Sequence, residues 1–352
     1  MSLQFPFESK SKKDWLEKVE ADLKGKSLSE LDWNILDHIS MSPFAHADDI
    51  KNPPISLSIS TSNEWYISEE FHVNTNEEDI NQQAVAALES GATALSFIIE
   101  DPSCQFEKLL KDIHLEWIFT HIESTGDIVK KCIDFLNDSP FDKSKIDLSF
   151  SITDKTQIEI QNENFTLIKD KICTCKGTDI EDVDHELCEL LLQANYYIKS
   201  AKEEDSIAQS IYFELGLTDS FYLNVCKIRA LKILWNLLLD SYDLNIIPPF
   251  IKVFMVTDSL NEDGDYTQIK AASQCMAAAI AGSSLIHIPP ARVDDKEDFH
   301  RRISRNISHL LRLESFLDRV TDPVAGSYYF EILTDKIGQS AWSKFQQKHE
   351  DA

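Results

Sequence analysis

The strongest constraint on what this chain can fold into is a rhythm. From about residue 56 onward, short β-branched and aromatic runs alternate with stretches of helical periodicity. Eight runs read as strands: Glu64–Phe71, Thr93–Ile99, Glu116–Ile122, Lys145–Thr153, Phe165–Cys173, Ile207–Leu215, Pro249–Val256 and Ser283–Ile288. Helical patterns over 79–90, 104–112, 126–138, 181–200, 221–241, 266–281 and 298–315 lie between or after them. Strands separated by helices pair in parallel, and eight such units favour a closed α/β barrel, the (β/α)8 TIM barrel, over an open sheet. One link does not fit easily. Residues 154–163 are polar and too short for a comfortable crossover helix, so either that connection is stripped down or one strand lies elsewhere.

Residues 1–55 precede the barrel pattern and read as an arm. Trp15, Val19 and Leu23 recur at i, i+4 and i+8, one apolar stripe on a short helix that ends before Gly25. Leu28, Leu31, Trp33 and Ile35 follow, then a Ser42-Pro43 break. A helix this short is marginal alone, so the stripe needs either its own barrel or another chain to pack on. The expected division is an arm over 1–55, a barrel over 56–331 and a trailing helix over 332–352.

Composition removes several classes of function. With 34 Lys plus Arg against 60 Asp plus Glu, the net charge is −26. Such a surface repels the phosphate backbone of nucleic acid and anionic lipid alike. No apolar stretch is long enough to span a membrane, and the first residues lack the apolar core of a signal peptide. The seven cysteines are scattered through apolar segments, which suits reduced thiols in a cytoplasmic setting. Glycine numbers only 9, and neither common nucleotide-phosphate loop occurs.

The motif-bearing residues are few. Cys173-Thr174-Cys175, with His185 and Cys188 nearby, lacks the second pair of a zinc site, and no metal is expected. His287 closes the eighth strand candidate, at the end of a barrel where active sites sit, and His72 and His121 lie near other strand ends. Acidic runs at Asn261–Asp265 and Asp294–Asp298 read as solvated loops, since the first lacks the full calcium-loop pattern.

Four ordered segments carry a resemblance. Asp322-Pro323-Val324-Ala325-Gly326-Ser327-Tyr328-Tyr329-Phe330-Glu331 leads into Leu333-Thr334, Ala341-Trp342 and Phe345-Gln346. Upstream lie Lys227-Ile228-Arg229-Ala230, the run Ala277 to His287, and Arg302-Ile303-Ser304-Arg305-Asn306. With the Trp15 to Trp33 arm, these resemble the methylmalonyl-CoA mutase family, from about residue 10 to 350. The resemblance implies a barrel that takes an acyl-CoA along its axis, capped by adenosylcobalamin on a separate domain, and a radical interconversion of methylmalonyl-CoA and succinyl-CoA.

The departures point to the family's small, or β, subunit. The D-x-H-x-x-G cobalamin pattern is absent from this sequence. The catalytic Tyr-His pair aligns with Cys173 and Thr174, which cannot replace a histidine as donor to a thioester carbonyl, and Gly177 takes the place of the family's glycine. The T-S-G loop appears as Thr257-Asp258-Ser259, and an arginine as Lys270. His287, Lys270, Thr257 and Ser259 remain the candidates for a substrate pocket. Trp15, Leu23 and Trp33 are the interface candidates, and Asp322, Pro323, Gly326, Ser327, Tyr328 and Tyr329 form the family's structural motif. The resemblance therefore implies a non-catalytic barrel without its own cofactor, paired in a heterodimer with a large subunit that carries adenosylcobalamin. In isolation a homodimer is open. The alternative is a CoA-thioester-binding barrel that acts with a separately encoded cobalamin domain.

Overall fold

The computed structural model describes residues 10–50, 63–74, 76–152, 173–177, 182–200, 204–255, 264–292 and 297–350. The arm holds α1 (Lys12–Leu23) and the strands β1 (Trp33–Leu36) and β2 (Ile39–Met41). The barrel strands are β3 (Tyr66–Val73), β4 (Ala94–Ile99), β5 (Phe119–Ser124), β6 (Asp147–Ile152), β7 (Cys173–Lys176), β8 (Ile211–Leu217), β9 (Phe250–Met255) and β10 (Leu285–His287). Around them stand α2 (Glu77–Glu89), α3 (Phe106–Leu109), α4 (Gly126–Asp138), α5 (Val183–Ser200), α6 (Glu204–Ser210), α7 (Phe221–Ser241), α8 (Gly264–Ile280), α9 (Glu297–Leu313) and α10 (Tyr328–Glu350).

All eight barrel strands run parallel in the order β6-β5-β4-β3-β10-β9-β8-β7. The first and last strands pair, with Leu285 opposite Tyr66 and His287 opposite Ser68, which curls the sheet into a barrel. The remaining seam lies between β6 and β7. There the Thr174 hydroxyl sits 3.0 Å from the Phe150 carbonyl, so a side chain ties what the ladder leaves open among the described residues.

Helix patterning explains the outer ring. In α4 the buried set is Ile128, Val129, Cys132, Ile133 and Leu136, one apolar stripe turned to the strands. Buried side chains fall into two large groups. Phe71, Phe97, Phe150, Ile133 and their neighbours fill the wall around β3–β6. Trp235, Phe213, Leu187, Ile228 and Ile337 fill the wall around β7–β10, where α5, α7 and α10 pack.

The fifth and sixth strands differ from expectation. β7 begins only at Cys173, the last residue of the Phe165–Cys173 candidate, and most of that candidate lies outside the described residues, as does the 154–163 link. The actual strand is a four-residue run with Cys173, Thr174 and Cys175 buried, too short to register as an apolar period. For β8 the first residues of the expected strand, Ile207 to Ser210, close helix α6 instead. Ile207 and Ala208 are buried there in helical phase, which short-range apolar content cannot distinguish from a strand. The trailing helix starts at Tyr328, four residues before the expected position.

The arm contains more structure than its helical stripe suggested. The Ser11 hydroxyl accepts from the Asp14 N–H at 3.2 Å while the Asp14 carboxylate accepts from the Ser11 N–H at 2.8 Å, so α1 opens on a capping box. Lys24 and Gly25, at φ 52° and 95°, turn the chain out of the helix. An antiparallel hairpin of β1 and β2 follows. Its Ile39 and Met41 join the larger core, and Ser40 offers its carbonyl to Lys336 of α10 at 2.6 Å. No residue of α1 is buried.

Candidate functional site

Alternation along the strands places every second side chain on the barrel axis. Pairing aligns Tyr66 with Leu285, Ala94 with Phe119, Phe119 with Asp147, and Tyr212 with Phe250. Ala94, Phe119 and Leu285 form a separate buried cluster with Tyr66 and Phe250 packed against it, at the N-terminal end of the barrel. Tyr66 and Phe119 lie 5.0 Å apart between ring centroids, and Phe119 stacks on Phe250 at 4.8 Å. The Tyr66 hydroxyl donates to Asp147 at 3.1 Å. Burial and the Asp147 charge push that phenol up to about 12. The layer is an aromatic cluster on the axis.

Toward the C-terminal mouth the interior becomes charged. Glu214 of β8 is 1% exposed and lies between three cationic or basic groups. Lys252 Nζ is 3.6 Å from one of its oxygens, His121 Nε2 is 3.5 Å from the same oxygen, and Lys176 Nζ is 3.8 Å from the other. Lys176 also reaches Glu123 at 3.6 Å. The Tyr212 hydroxyl stands 2.8 Å from Thr174 Oγ1 and donates to Glu214 at 3.2 Å. His287 Nδ1 lies 3.3 Å from the Ser68 carbonyl, and His121 Nδ1 lies 2.7 Å from Ser149 Oγ.

These contacts set the protonation states. Burial, then the Lys252 and Lys176 charges, hold His121 well below the ordinary imidazole range. Burial also lowers His287, with the Glu70 charge opposing. Burial and the Glu214 charge push the Tyr212 phenol far up. Burial opposes ionisation of Glu70, but His287 and Lys252 outweigh it and hold that carboxyl low. The interior thus holds the Glu70 carboxylate ionised beside neutral imidazoles. A phenol raised this far is a poor acid near neutral pH. Buried thiols are no better as nucleophiles, since burial raises both Cys173 and Cys175.

The residues singled out from sequence separate in space. Thr174 faces the axis and bridges the β6–β7 seam, while Cys173 is fully buried in the outer core. His287 reaches the interior as expected of a strand end. Lys270 pairs with Asp219 in the loop after β8. Thr257 and Ser259 lie outside the described residues. Trp15 stacks on Phe44 at 4.4 Å, Leu23 is half-buried, and Trp33 stays 46% exposed with its edge toward Tyr222.

The Asp322 to Tyr329 segment is a clamp. Arg229, fully buried on α7, donates two parallel bonds of 3.0 Å to Asp322. It also donates to Glu331 at 2.9 Å and to the Thr334 hydroxyl at 3.0 Å. Glu331 in turn accepts from the Gly326 N–H at 2.9 Å, where φ of 79° suits glycine. Pro323 follows Asp322, and the Ser327 carbonyl accepts from the Glu331 N–H as α10 begins. Tyr329 packs edge-on to Tyr222, and Tyr328 is 41% exposed near His46. Two motifs about a hundred residues apart are therefore one ion-paired unit, away from the axis.

A second buried pair explains Lys227. Its ammonium donates to Glu186 of α5 at 2.8 Å and to the Gly216 carbonyl. A Cβ at Gly177 would fall on that Glu186 side chain, so the glycine is required by close approach.

Sequence reasoning missed Glu70, Glu123, Lys176, Tyr212, Glu214 and Lys252. Their signal was available. A charge inside a short apolar run, as in Phe213-Glu214-Leu215 or Ile251-Lys252-Val253, marks a strand face that is neither lipid-like nor solvent.

Comparison with known proteins agrees with this architecture. Residues 179–351 match the family described as methylmalonyl-CoA mutase. A methylmalonyl-CoA mutase small subunit of Porphyromonas gingivalis is 25% identical, over 95% of this chain and 62% of its own length. A probable small subunit of Mycobacterium bovis is 24% identical over 80% of this chain and 52% of its own. A methylmalonyl-CoA mutase of Cereibacter sphaeroides is 27% identical over 46% of this chain and 24% of its own. The chain thus spans about half to five-eighths of the length of the small-subunit relatives. Among the described residues no helix is long and apolar enough to cross a membrane, and no cluster of His, Cys, Asp or Glu could hold a metal ion.

Proposed function

We propose that this chain, which matches the methylmalonyl-CoA mutase family over residues 179–351, serves as a small-subunit barrel that supports a large catalytic subunit and does not itself turn over a CoA thioester. One observation carries this reading: among the described residues, aromatic rings and paired charges occupy the barrel axis. An acyl-CoA would have to pass the Tyr66, Phe119 and Phe250 rings and then displace the Glu214 ion pairs. Displacing buried ion pairs costs several kcal/mol per uncompensated charge, on the order of the total binding energy of a small ligand. Glu70, Glu123 and Glu214 would also repel a polyanion.

Adenosylcobalamin fits the partner better than this interior. His121 and His287 are buried inside the barrel, with Nδ1 beside Ser149 and the Ser68 carbonyl, and would not be the residues that hold it. The arm suits heterodimer formation, because α1 buries none of its residues and Trp33 stays nearly half-exposed beside Tyr222. In this reading Trp15, Leu23 and Trp33 contribute apolar area to the large subunit.

Co-expression with a mutase large subunit tests the proposal. Stoichiometric co-elution is expected, with methylmalonyl-CoA turnover only in the complex and no heat when a CoA ester is added to this chain alone. Turnover by this chain with only a separate cobalamin domain added would overturn it in favour of a catalytic barrel.

A further inference from the structure

Outside the barrel wall, α2 and α9 leave a cleft of about 740 Å3. Its floor is Glu69, which points away from the axis on β3, since its neighbours Ser68 and Glu70 face inward. One wall is α9, where residues 298, 301, 302 and 305 share a helical face. Three of the chain's seven arginines, Arg301, Arg302 and Arg305, line this single cleft in a molecule of net charge −26.

The three are not equivalent. Arg301 is consumed: it pairs with Glu297 at 2.6 Å and Glu69 at 3.4 Å, and donates to the Glu70 carbonyl at 3.0 Å. Arg305 gives one Nη to Glu69, but its Nε is buried without a partner, on a side chain only 10% exposed. Arg302 lies over the Phe299 ring at 5.4 Å, and among the described residues no carboxylate pairs with it. Asp79 and Asp298 also line the cleft, and Asp79 accepts from Asn76 at 2.8 Å. Gln82 and Gln83 supply neutral donors from the α2 wall.

A buried guanidinium N–H left unbonded is costly, and such orphans commonly mark a bound water or ion. We propose that the α2–α9 cleft is a binding site for a small molecule bearing an oxyanion, a phosphoryl or carboxylate group, held by Arg302 and by the free Nε edge of Arg305. Glu69 keeps Arg305 in place, and the Phe299 face and the Ala86 and Ala87 wall accept the ligand's apolar part. The cleft is large enough for a drug-sized ligand. This site is separate from the barrel axis and from the arm, so it does not depend on the small-subunit reading.

The test titrates the whole chain with inorganic phosphate and, separately, with acetate, at constant ionic strength. Binding is followed by calorimetry and by the 31P linewidth. Arg302 is on the surface, so Arg302→Gln leaves the fold intact, and Arg302→Lys keeps the charge without the fork. Saturable binding of either anion is expected. It should weaken roughly tenfold in Arg302→Gln and less in Arg302→Lys, as loss of a charge-assisted bond predicts. Saturation by phosphate alone would assign a phosphoryl ligand, and by acetate alone a carboxylate. No saturable binding of either, or equal binding by wild type and Arg302→Gln, would overturn the proposal.

Discussion

The two ends of the barrel interior are filled by opposite chemistry. At the N-terminal end, Tyr66, Phe119 and Phe250 pack into an aromatic layer with Ala94 and Leu285. At the C-terminal end, Glu214, Lys252, Lys176 and Glu123 pair around neutral His121. Both layers lie on the axis, yet they respond differently to perturbation. An aromatic layer loses contact area and leaves a cavity when one ring is removed. A charged layer fails by leaving a partner buried and unpaired, which makes it sensitive to protonation. The contrast shows that a barrel can be plugged without a uniform hydrophobic core.

Removing one side chain from each layer gives the largest effects. Glu214→Ala strips Lys252 of its buried counter-charge and should destabilise the chain by about 3–5 kcal/mol in urea unfolding. Phe119→Ala should cost a similar ~3–5 kcal/mol through its cavity. If the layers differ as described, Glu214→Leu recovers part of the loss, because an apolar replacement restores volume, while Lys252 then becomes the residue that fails. A Glu214→Gln variant as stable as the wild type would instead mean that the charge does not matter.

The pH dependence separates the layers next. His121 and His287 are lowered in the folded chain, so the unfolded chain binds more protons once pH falls below the ordinary histidine value. The stability they allow is therefore present above about pH 6.5 and is lost as pH falls below it, by up to ~1.4 kcal/mol per pH unit for each histidine. Glu70, also lowered, adds a loss in the same direction at lower pH, as it protonates below the ordinary glutamate range. His121→Asn should flatten the upper part of this profile in urea midpoints from pH 7.5 to 5.5, whereas Phe119→Leu should shift the whole curve without changing its slope.

Smaller effects test the joints around the two layers. Gly177→Ala forces a Cβ onto Glu186, which Lys227 holds in place, and overpacking of this kind costs about 1–3 kcal/mol. Thr174→Val removes the hydroxyl at the β6–β7 seam and should cost about 1 kcal/mol, with faster amide exchange in β6 and β7 than in β3 and β4. Least of all, Trp33→Ala should change the isolated chain by no more than ~0.5 kcal/mol, as an exposed side chain does. In the proposed heterodimer the same change should weaken association at least tenfold, which a sedimentation or calorimetric titration would detect.

Much of the fold was legible in the sequence because parallel barrels repeat one pattern. Six of the eight strands fall within a few residues of their expected positions, and α4 and α7 agree at both ends. The misplaced strands share a cause. β7 is too short to show a period, and the turn of α6 before β8 is as apolar as a strand. Site residues were harder. Thr174 stands out through the family pattern and His287 through its place at a strand end, whereas Glu214 and Lys252 carry no motif and matter only because their strands are neighbours.

By itself the sequence determined that this chain forms a parallel α/β barrel and resembles the methylmalonyl-CoA mutase family, because hydrophobic period and motif order are local properties of the chain. The tertiary structure alone decided which charges meet. Glu214 reaches His121 across 93 positions, and Arg229 reaches Asp322 across the same separation. A strand buried on both faces gives no sign of which face sees the helices and which sees the axis, since both exclude water. Barrel closure makes that choice, and with it aromatic rings and paired charges meet on the axis.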